Sequence, residues 1–276
     1  MTFPMDRLSE VRLKISRVTP SDAERRLESF SSETIERASR CIHVDGAVIL
    51  EEIVDATLIG QAKRAFCDVY ARYLDGGEHD DALTVGGQRL MITVDLEPPF
   101  DDQRLFANQW VLPILSAVLD EGLVLGAFGV VCSLPGAPIQ HRHRDGGVLF
   151  LHSGVDRLLP AFAITVAIPL LEMNETHGTT ALWLGSHRDA GSGPNEESIE
   201  PVVREGSCVL WDYRLFHGGT SNRSTVPRPL LYLMYCRPWF FDHLNYKKQP
   251  AVRASKRFLS ALSERHKRLL ARVQEC

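Results

Sequence analysis

Hydrophobic positions in the N-terminal third of the chain recur at helical spacing. Between residues 56 and 74, apolar side chains stand three or four positions apart, and Gly76 and Gly77 follow. This pattern predicts an amphipathic helix that ends before the two glycines. Ser21 with Glu24 three positions later has the spacing of a capping box, which marks the start of a helix. The predicted helices are therefore 21–39, 56–74, 101–119 and, at the end of the chain, 258–273.

After about residue 120 the pattern changes to short runs of β-branched, aromatic and aliphatic residues, separated by glycine and proline. Such runs predict strands. The predicted strands are 46–50, 123–131, 148–152, 163–170, 181–184, 208–211 and 230–236. Helices followed by many short strands favour an antiparallel double sheet with helices packed on one side. The glycine-rich stretch 191–195 is expected to form a loop.

No change in composition requires a second domain. We therefore expect one domain over 1–276, with a helical N-terminal region to about 120, a β core over about 42–240 and a C-terminal helix over about 255–273. The formal net charge of -4 argues against a general nucleic-acid binder. The locally basic segment 247–272 is expected to be a solvated helix face.

The cysteines and the N-terminus bear on the compartment. Six cysteines are scattered without a CxxC pair, which favours free thiols in a reducing compartment. Residues 1–17 are charged throughout, and no apolar run reaches the roughly 18 residues of a membrane span. We expect a cytoplasmic protein with a small-molecule substrate and with neither a nucleic-acid nor a membrane partner. A homodimer is compatible with the sequence.

The segment 140–145 carries candidate metal ligands. Residues two apart in a strand share a face, so His143 and Asp145 point to the same side if this segment is a regular strand. His141 lies on that face too and is a weaker candidate. His217, which follows an apolar strand and precedes two glycines, would supply the third ligand. Two imidazoles and one carboxylate can hold Fe(II) on one side and leave other coordination positions open.

Two other interpretations of these motifs fail. His143-Arg144-Asp145 also opens the catalytic loop of protein kinases, but that loop needs an asparagine five residues after the aspartate, and Phe150 stands there. His141 with His143 could begin a cupin metal site, but the glutamate expected shortly afterwards is missing. A His-x-Asp pair alone is common by chance, so the alternative for His143 is a polar residue at a strand end.

Arg228 follows His217 by 11 residues and lies between Pro227 and Pro229. A guanidinium group matches the geometry of a carboxylate. An arginine that faces an apolar interior is costly without an anionic partner. Arg228 therefore indicates a carboxylate-bearing ligand beside the metal, and the alternative is an arginine in a surface loop.

Four stretches of this sequence resemble the phytanoyl-CoA dioxygenase family of Fe(II)/2-oxoglutarate-dependent oxygenases. They are residues 45–55 with the helix that follows, Gln140-x-x-His143-x-Asp145, residues 178–187, and His217 with Asn222 and Arg228. Together they span about residues 42–240 in the order and spacing of the family. The resemblance implies a mainly β protein with flanking α-helices, built on a double-stranded β-helix, or jelly roll.

The resemblance also implies roles for individual residues. His143, Asp145 and His217 match the Fe(II) ligands, and Arg228 matches the residue that pairs with the distal carboxylate of 2-oxoglutarate. Gln140 matches a position near this co-substrate. Gly219 occupies the position of the hydroxyl that commonly assists the arginine, so Thr180, Thr220 or a tyrosine is expected to replace it. Asn222 is expected either to brace the turn around His217 or to serve as an ordinary turn residue.

The implied reaction consumes O2 and 2-oxoglutarate, releases succinate and CO2, and oxidises a substrate C–H bond. Related halogenases carry a small residue at the position of Asp145, so the aspartate favours hydroxylation, desaturation or ring formation over halogenation. A small natural product or metabolite is the expected substrate, with an acyl-CoA or an amino acid as the alternative. Its contacts are expected from residues 88–93, 152–159 and 239–241 and from the loop at Gly191. A non-catalytic module that binds iron or 2-oxoglutarate remains a further alternative.

Overall fold

The computed structural model describes residues 14–147, 149–150, 154–188 and 197–275. The strands are β1 (Arg17–Val18), β2 (Ala47–Leu50), β3 (Leu83–Gly86), β4 (Arg89–Thr93), β5 (Asp95–Leu96), β6 (Val124–Ser133), β7 (Ala163–Pro169), β8 (Thr180–Leu182), β9 (Cys208–Asp212), β10 (His217–Gly219), β11 (Arg228–Cys236), β12 (Arg253–Ala254) and β13 (Gln274–Glu275). The α-helices are α1 (Asp22–Leu27), α2 (Ser32–Asp45), α3 (Ala56–Val69), α4 (Gln103–Phe106), α5 (Val111–Leu119), α6 (Lys256–Ala261) and α7 (Glu264–Leu269).

A large sheet organises the fold. Its strand order is β1-β2-β9-β7-β11-β6-β4-β3, and β11 lies between β7 and β6. All its pairs are antiparallel except β1 with β2. A second small sheet pairs β10 with β8, and a third joins β13, β12 and β5. Helix residues such as Leu58 and the β8 residue Leu182 belong to different buried clusters, so the helices and the β8–β10 sheet cover opposite faces of the large sheet.

Alternation along the strands divides the core into two layers. On β11, Leu231, Leu233 and Tyr235 belong to the layer shared with the helices. Leu230 and Tyr232 belong to the opposite layer. Because successive strand residues point to opposite faces, Arg228 lies on the face of Leu230 and Tyr232. This face of the large sheet, opposite the helices, is where the candidate site forms.

Three predicted helices are interrupted, and short polar side chains explain the breaks. The capping box of Ser21 and Glu24 forms, but Glu28 adopts a left-handed conformation and Ser31 caps a new helix. The predicted helix 21–39 is therefore α1 and α2. The predicted helix 101–119 is α4 and α5, divided where Asn108 accepts the backbone N–H groups of Trp110 and Val111.

The C-terminal prediction was wrong in the same way. Ser263 caps a second helix through the backbone N–H of His266, so 258–273 is α6 and α7 rather than one helix. The predicted helix 56–74 is α3 followed by a 3-10 turn over Ala71–Leu74. A serine or asparagine oxygen that binds backbone N–H groups competes with continuation of the preceding helix.

The predicted strands at 46–50, 123–131, 163–170, 181–184, 208–211 and 230–236 are confirmed as β2, β6, β7, β8, β9 and β11. Residues 149 and 150 form a bend, and the rest of the predicted strand 148–152 lies outside the described residues. The predicted loop 191–195 also lies outside them. Residues 89–93, which belong to a stretch expected to contact the substrate, form β4. Across the described part of the chain, no helix is both long enough and apolar enough to cross a membrane.

Candidate metal centre and its cavity

His143, Asp145 and His217 come together although they are far apart in sequence. One ligand atom from each side chain lies within 4.8 Å of the others. His217 begins β10, and its backbone forms an isolated bridge with His143 through two N–H···O bonds of 2.9 Å. Residues 143–145 do not form a regular strand, the condition on which His143 and Asp145 were expected to share a face, and Asp145 lies in a bend. The bridge to β10, rather than strand alternation, brings the three groups together.

Hydrogen bonds orient both imidazoles. The Nδ1 atom of His143 lies 2.9 Å from the carbonyl oxygen of His141, and Nδ1 of His217 lies 3.0 Å from that of Leu215. A carbonyl can only accept, so each Nδ1 carries the proton and donates it. Each Nε2 then presents its lone pair, the arrangement found in metal-binding histidines.

Hydrogen bonds also orient the carboxylate of Asp145. Its Oδ2 accepts from the Thr165 hydroxyl at 2.8 Å and from the Trp211 indole N–H at 2.9 Å. Its Oδ1 lies 3.4 Å from Nε2 of His217. One carboxylate oxygen is therefore committed to the protein, and the other faces the two imidazoles.

The pKa values of these three side chains favour the binding of a cation between them. Burial and the neighbouring His217 lower the pKa of His143 to about 4, so this imidazole is neutral at neutral pH. Burial opposes the charged forms of His217 and Asp145, but their mutual attraction prevails. That attraction raises the pKa of His217 and lowers the pKa of Asp145. A metal ion binds deprotonated ligands and would replace the proton that this pair attracts.

A cavity of about 320 Å³ opens beside these groups and contains two arginines. Arg89 on β4 and Arg228 on β11 both pair with Ser133 of β6, one from each side. They therefore occupy one row of the sheet and extend from the same face. Each is almost fully buried, at 1% and 2% exposure. Both arginines line the cavity, at what we call its arginine end.

Among the residues that the structure describes, no acidic side chain pairs with either arginine at this end of the cavity. Among the described residues, neither arginine forms a salt bridge, and the Nε atom of each has no hydrogen-bond partner. Arg89 donates to the carbonyl oxygens of Pro138 at 3.1 Å and Thr220 at 2.9 Å. Burial and the positive charge of Arg89 lower the pKa of Arg228 to about 10. Two adjacent buried cations of this kind fit an anionic ligand.

Arg89 also accounts for Gly219, where the resemblance led us to expect a hydroxyl. A Cβ atom at Gly219 would lie 3.0 Å from Cζ of Arg89 and 3.1 Å from its Nε. A side chain larger than glycine would therefore crowd the guanidinium group. In this chain Arg89 occupies the space in which a serine or threonine at 219 would stand.

The residues predicted to contact the co-substrate differ in whether their side chains are available in the cavity. Thr180 is buried and lines the cavity. The Thr220 hydroxyl accepts the Thr179 backbone N–H at 2.7 Å, and its side chain is not part of the cavity lining. Gln140 lines the cavity but uses both ends of its amide on backbone groups. This geometry favours Thr180 over Thr220 as the second contact to a carboxylate.

Other predicted residues take structural positions. Asn222 donates from its amide to the carbonyl oxygens of Ser133 and Val226, at 3.0 and 2.9 Å, and so braces the turn before Arg228. His141 is exposed at the cavity, with its ring centroid 5.3 Å from that of His143. Within the described residues it does not join the metal-binding group. Residues 239–241 do not line the cavity, whereas Asn245 does and donates to the Asp145 carbonyl oxygen at 2.9 Å.

Sequence reasoning gave no site role to Thr165, Trp211 or Asn245, and it included Arg89 only within the stretch 88–93 that was expected to contact the substrate. Trp211 and Thr165 lie in predicted strands, but the strand pattern does not mark them as neighbours of Asp145. Arg89 carried a weak signal, because it follows Gly86-Gly87-Gln88 and precedes an apolar run. Its role depends on strand register, which the sequence does not disclose.

Comparisons with known proteins identify the family to which this chain is similar. The family model described as "Phytanoyl-CoA dioxygenase (PhyH)" matches residues 42–230. The dioxygenase trt7 of Aspergillus terreus is 31% identical over 103 residues, which cover 36% of each chain. The dioxygenase olcK of Penicillium canescens is 25% identical over 201 residues, 68% of this chain and 65% of that protein. These curated relatives are thus matched over about a third to two thirds of their length.

Solved structures show the same fold. AviO1 from Streptomyces viridochromogenes Tue57 superposes with a TM-score of 0.57 at 21% identity, over 76% of this chain and 98% of that one. SnoN, the non-heme alpha ketoglutarate dependent epimerase from nogalamycin biosynthesis, gives a TM-score of 0.54 at 18% identity, over 75% and 84%. The expected jelly-roll fold with flanking helices is confirmed.

Proposed function

Because this chain belongs to the phytanoyl-CoA dioxygenase family, we propose that it is an iron(II)- and 2-oxoglutarate-dependent dioxygenase. Its proposed reaction is hydroxylation of an unactivated C–H bond of a small-molecule metabolite. One observation carries the proposal: a two-histidine, one-carboxylate cluster shares a cavity with two buried arginines that have no acidic partner among the described residues.

The donor set suits ferrous iron. His143 and His217 offer Nε2 and Asp145 offers Oδ1, while the other polar atom of each side chain is bound by the protein. Two imidazoles and one carboxylate on one side of a metal leave positions for further ligands and are typical of oxygen-activating Fe(II). When bound, the iron would supply O2 activation coupled to the oxidative decarboxylation of 2-oxoglutarate to succinate and CO2.

The arginine end of the cavity suits the distal carboxylate of 2-oxoglutarate. Arg228 and Arg89 present donors from the two strands that flank β6, in one row of the sheet, and Thr180 adds a buried hydroxyl to the lining. A carboxylate there would offset the burial and the repulsion from Arg89 that together lower the pKa of Arg228. The two arginines would thereby fix which end of the co-substrate faces the metal.

The remaining residues hold ligands and limit water. Trp211 and Thr165 fix Asp145, and the Trp211 ring lies 5.1 Å from the His217 ring, centroid to centroid. Val131 and Leu230 contribute apolar surface to the cavity beside the arginines. An apolar, enclosed site protects a reactive oxidant from side reactions. Asp145 keeps the carboxylate ligand in place, which supports hydroxylation over halogenation.

The comparisons support a role in natural-product biosynthesis. A further relative from Penicillium ochrochloron, 27% identical over 93 residues, is named iron/alpha-ketoglutarate-dependent dioxygenase okaE. SnoN, with a similar fold, has been crystallised with Fe3+, alpha ketoglutarate and nogalamycin RO. We therefore propose a natural product or a related metabolite as the substrate class, and hydroxylation as the outcome.

Succinate formation tests the proposal. Purified protein would be incubated with Fe(II), ascorbate, O2 and 2-oxoglutarate, with and without a pool of natural-product extracts. We expect succinate from the wild type, and at least about a hundredfold less from Asp145→Ala, because loss of a ligand removes the metal. Asp80→Ala, which removes an exposed aspartate, is the matched control and should retain wild-type turnover. Iron binding without any succinate would instead support a non-catalytic binding module.

A further inference from the structure

Gln140 joins two separate parts of the cavity wall. Its Nε2 donates to the Val85 carbonyl oxygen at 2.6 Å, and its Oε1 accepts the Gly219 backbone N–H at 2.9 Å. Val85 belongs to β3, and Gly219 ends β10, the strand that begins with His217. One side chain therefore connects the wall strand β3 to the strand that carries a proposed metal ligand.

The orientation of this amide is determined by its partners. A flipped amide would place its oxygen against the Val85 oxygen and its nitrogen against the Gly219 N–H. Both hydrogen bonds would be lost. The amide therefore works as a bridge with a defined donor end and a defined acceptor end.

The strand that Gln140 holds has few other attachments. Within the part of the chain that the structure describes, β3 is the last strand of the large sheet and pairs with β4 alone. That pairing has a register shift between Thr84 and Gly86. By contrast, β4 pairs with β6 as well, and Gln249 binds the backbone of Met91 and Thr93. The bond from Gln140 thus supports the weaker side of the hairpin.

This strand forms a continuous stretch of the cavity lining, Leu83 to Gly86. Gly86 lies beside Arg89, since a Cβ there would be 3.5 Å from an arginine nitrogen. At about 3.3 Å per strand residue, Leu83 lies roughly 10 Å further along the wall. Leu83 and Val85 share a half-buried face, whereas Thr84 is exposed. Leu83 and Val85 therefore add two apolar residues to this part of the wall.

We propose that Gln140 is a positioning residue that keeps β3 closed as the wall against which an apolar part of the substrate lies. This inference rests on the proposed function, because it assigns the arginine end of the same cavity to 2-oxoglutarate. It differs from the role that the family resemblance implies, a position near the co-substrate. One N–H of Nε2 is left over, so the two roles must be separated by measurement.

Two measurements on Mn(II)-loaded protein separate the roles. The first is amide hydrogen exchange of peptides that cover 83–86, and the second is the affinity for 2-oxoglutarate by calorimetry. Gln140→Met keeps the length of the side chain and removes both hydrogen bonds. Gln140→Leu repeats the loss with a different shape. Gln103→Met, at the exposed start of α4, is the matched control.

We expect exchange over 83–86 to accelerate about tenfold in both Gln140 variants, because two hydrogen bonds are lost. Exchange in β6 and β11 should stay unchanged, which shows that the fold is intact. The Kd for 2-oxoglutarate should stay within about threefold of the wild type, less than the loss of a direct contact to a charged group would cause.

Unchanged exchange over 83–86, or a Kd weakened tenfold or more, would overturn the inference. Acceleration spread over β6 and β11 would also count against it, because Gln140 would then support the whole sheet rather than one wall. Failure of the wild type to bind 2-oxoglutarate in the presence of Mn(II) would contradict the proposed function instead. The two ideas therefore fail in different ways.

Discussion

Replacing Arg228 with methionine should make the empty protein more stable and the co-substrate complex weaker. In the wild type, burial and the nearby Arg89 lower the pKa of Arg228 from 12.5 to about 10. For a base, a lowered pKa means that the fold disfavours the charged form. A shift of this size corresponds to a cost of ~3 kcal/mol at neutral pH, at 1.36 kcal/mol per pKa unit. Methionine fills a similar length without a charge.

The main lost contact is weak, a 3.9 Å approach of Arg228 to the sulfur of Met173. Removing a buried, uncompensated charge should therefore raise the free energy of unfolding of the ligand-free variant by up to ~3 kcal/mol. The same change should weaken 2-oxoglutarate binding by about a hundredfold, since truncating one partner of a buried charge pair costs ~2–5 kcal/mol and Arg89 remains.

The assay is thermal unfolding with and without 2-oxoglutarate, together with calorimetric titration of Mn(II)-loaded protein. We expect the ligand-free variant to melt a few degrees above the wild type and to gain little from the ligand. Arg40→Met, on the exposed face of α2, is the matched control and should alter neither quantity. A ligand-free variant less stable than the wild type that still binds 2-oxoglutarate normally would refute the reasoning.

Two further predictions concern the metal ligand and the N-terminal helices. Trp211→Phe and Thr165→Val each remove a hydrogen bond to Oδ2 of Asp145. Each variant should therefore bind Fe(II) about tenfold more weakly in an anaerobic titration. Unchanged affinity would show that the carboxylate needs no support from these hydrogen bonds. Glu24→Gln should cost ~1 kcal/mol of unfolding free energy at pH 7, because the backbone N–H groups of Ser31 and Ser21 lower the pKa of Glu24. A lowered acid pKa gives stability that is present above the unfolded value of 4.5 and lost on acidification. The difference between variant and wild type in denaturant titrations should therefore shrink below about pH 4, and a difference independent of pH would contradict this account.

The residues that the sequence could identify are those that stand in short motifs next to strands. His143, Asp145, His217 and Arg228 could be singled out because residue type and spacing already limit their chemistry. Arg89 could not, because it becomes a neighbour of Arg228 only through the shared pairing with Ser133 across three strands. Register between distant strands is a tertiary property, and no local pattern encodes it.

Helix boundaries failed for a local reason that the sequence did contain. Ser31 and Ser263 each cap a helix inside a region predicted as one continuous helix. Both could have been interpreted as start signals, but the apolar periodicity continues across the break and hides it. For Trp211 the missing information is tertiary rather than local. Its apolar strand is predictable, whereas the bond from its indole N–H to Asp145 depends on how two layers of the fold meet.

The central claim is that three side chains hold one ferrous ion beside an arginine-anchored 2-oxoglutarate. The most direct test is a crystal structure of the protein loaded anaerobically with Fe(II) and 2-oxoglutarate, with the iron located by anomalous scattering. The account predicts one iron peak at bonding distance from Nε2 of His143, Oδ1 of Asp145 and Nε2 of His217, with the distal carboxylate on Arg228 and Arg89. An iron peak elsewhere, or a co-substrate that leaves both arginines without a carboxylate, would contradict it.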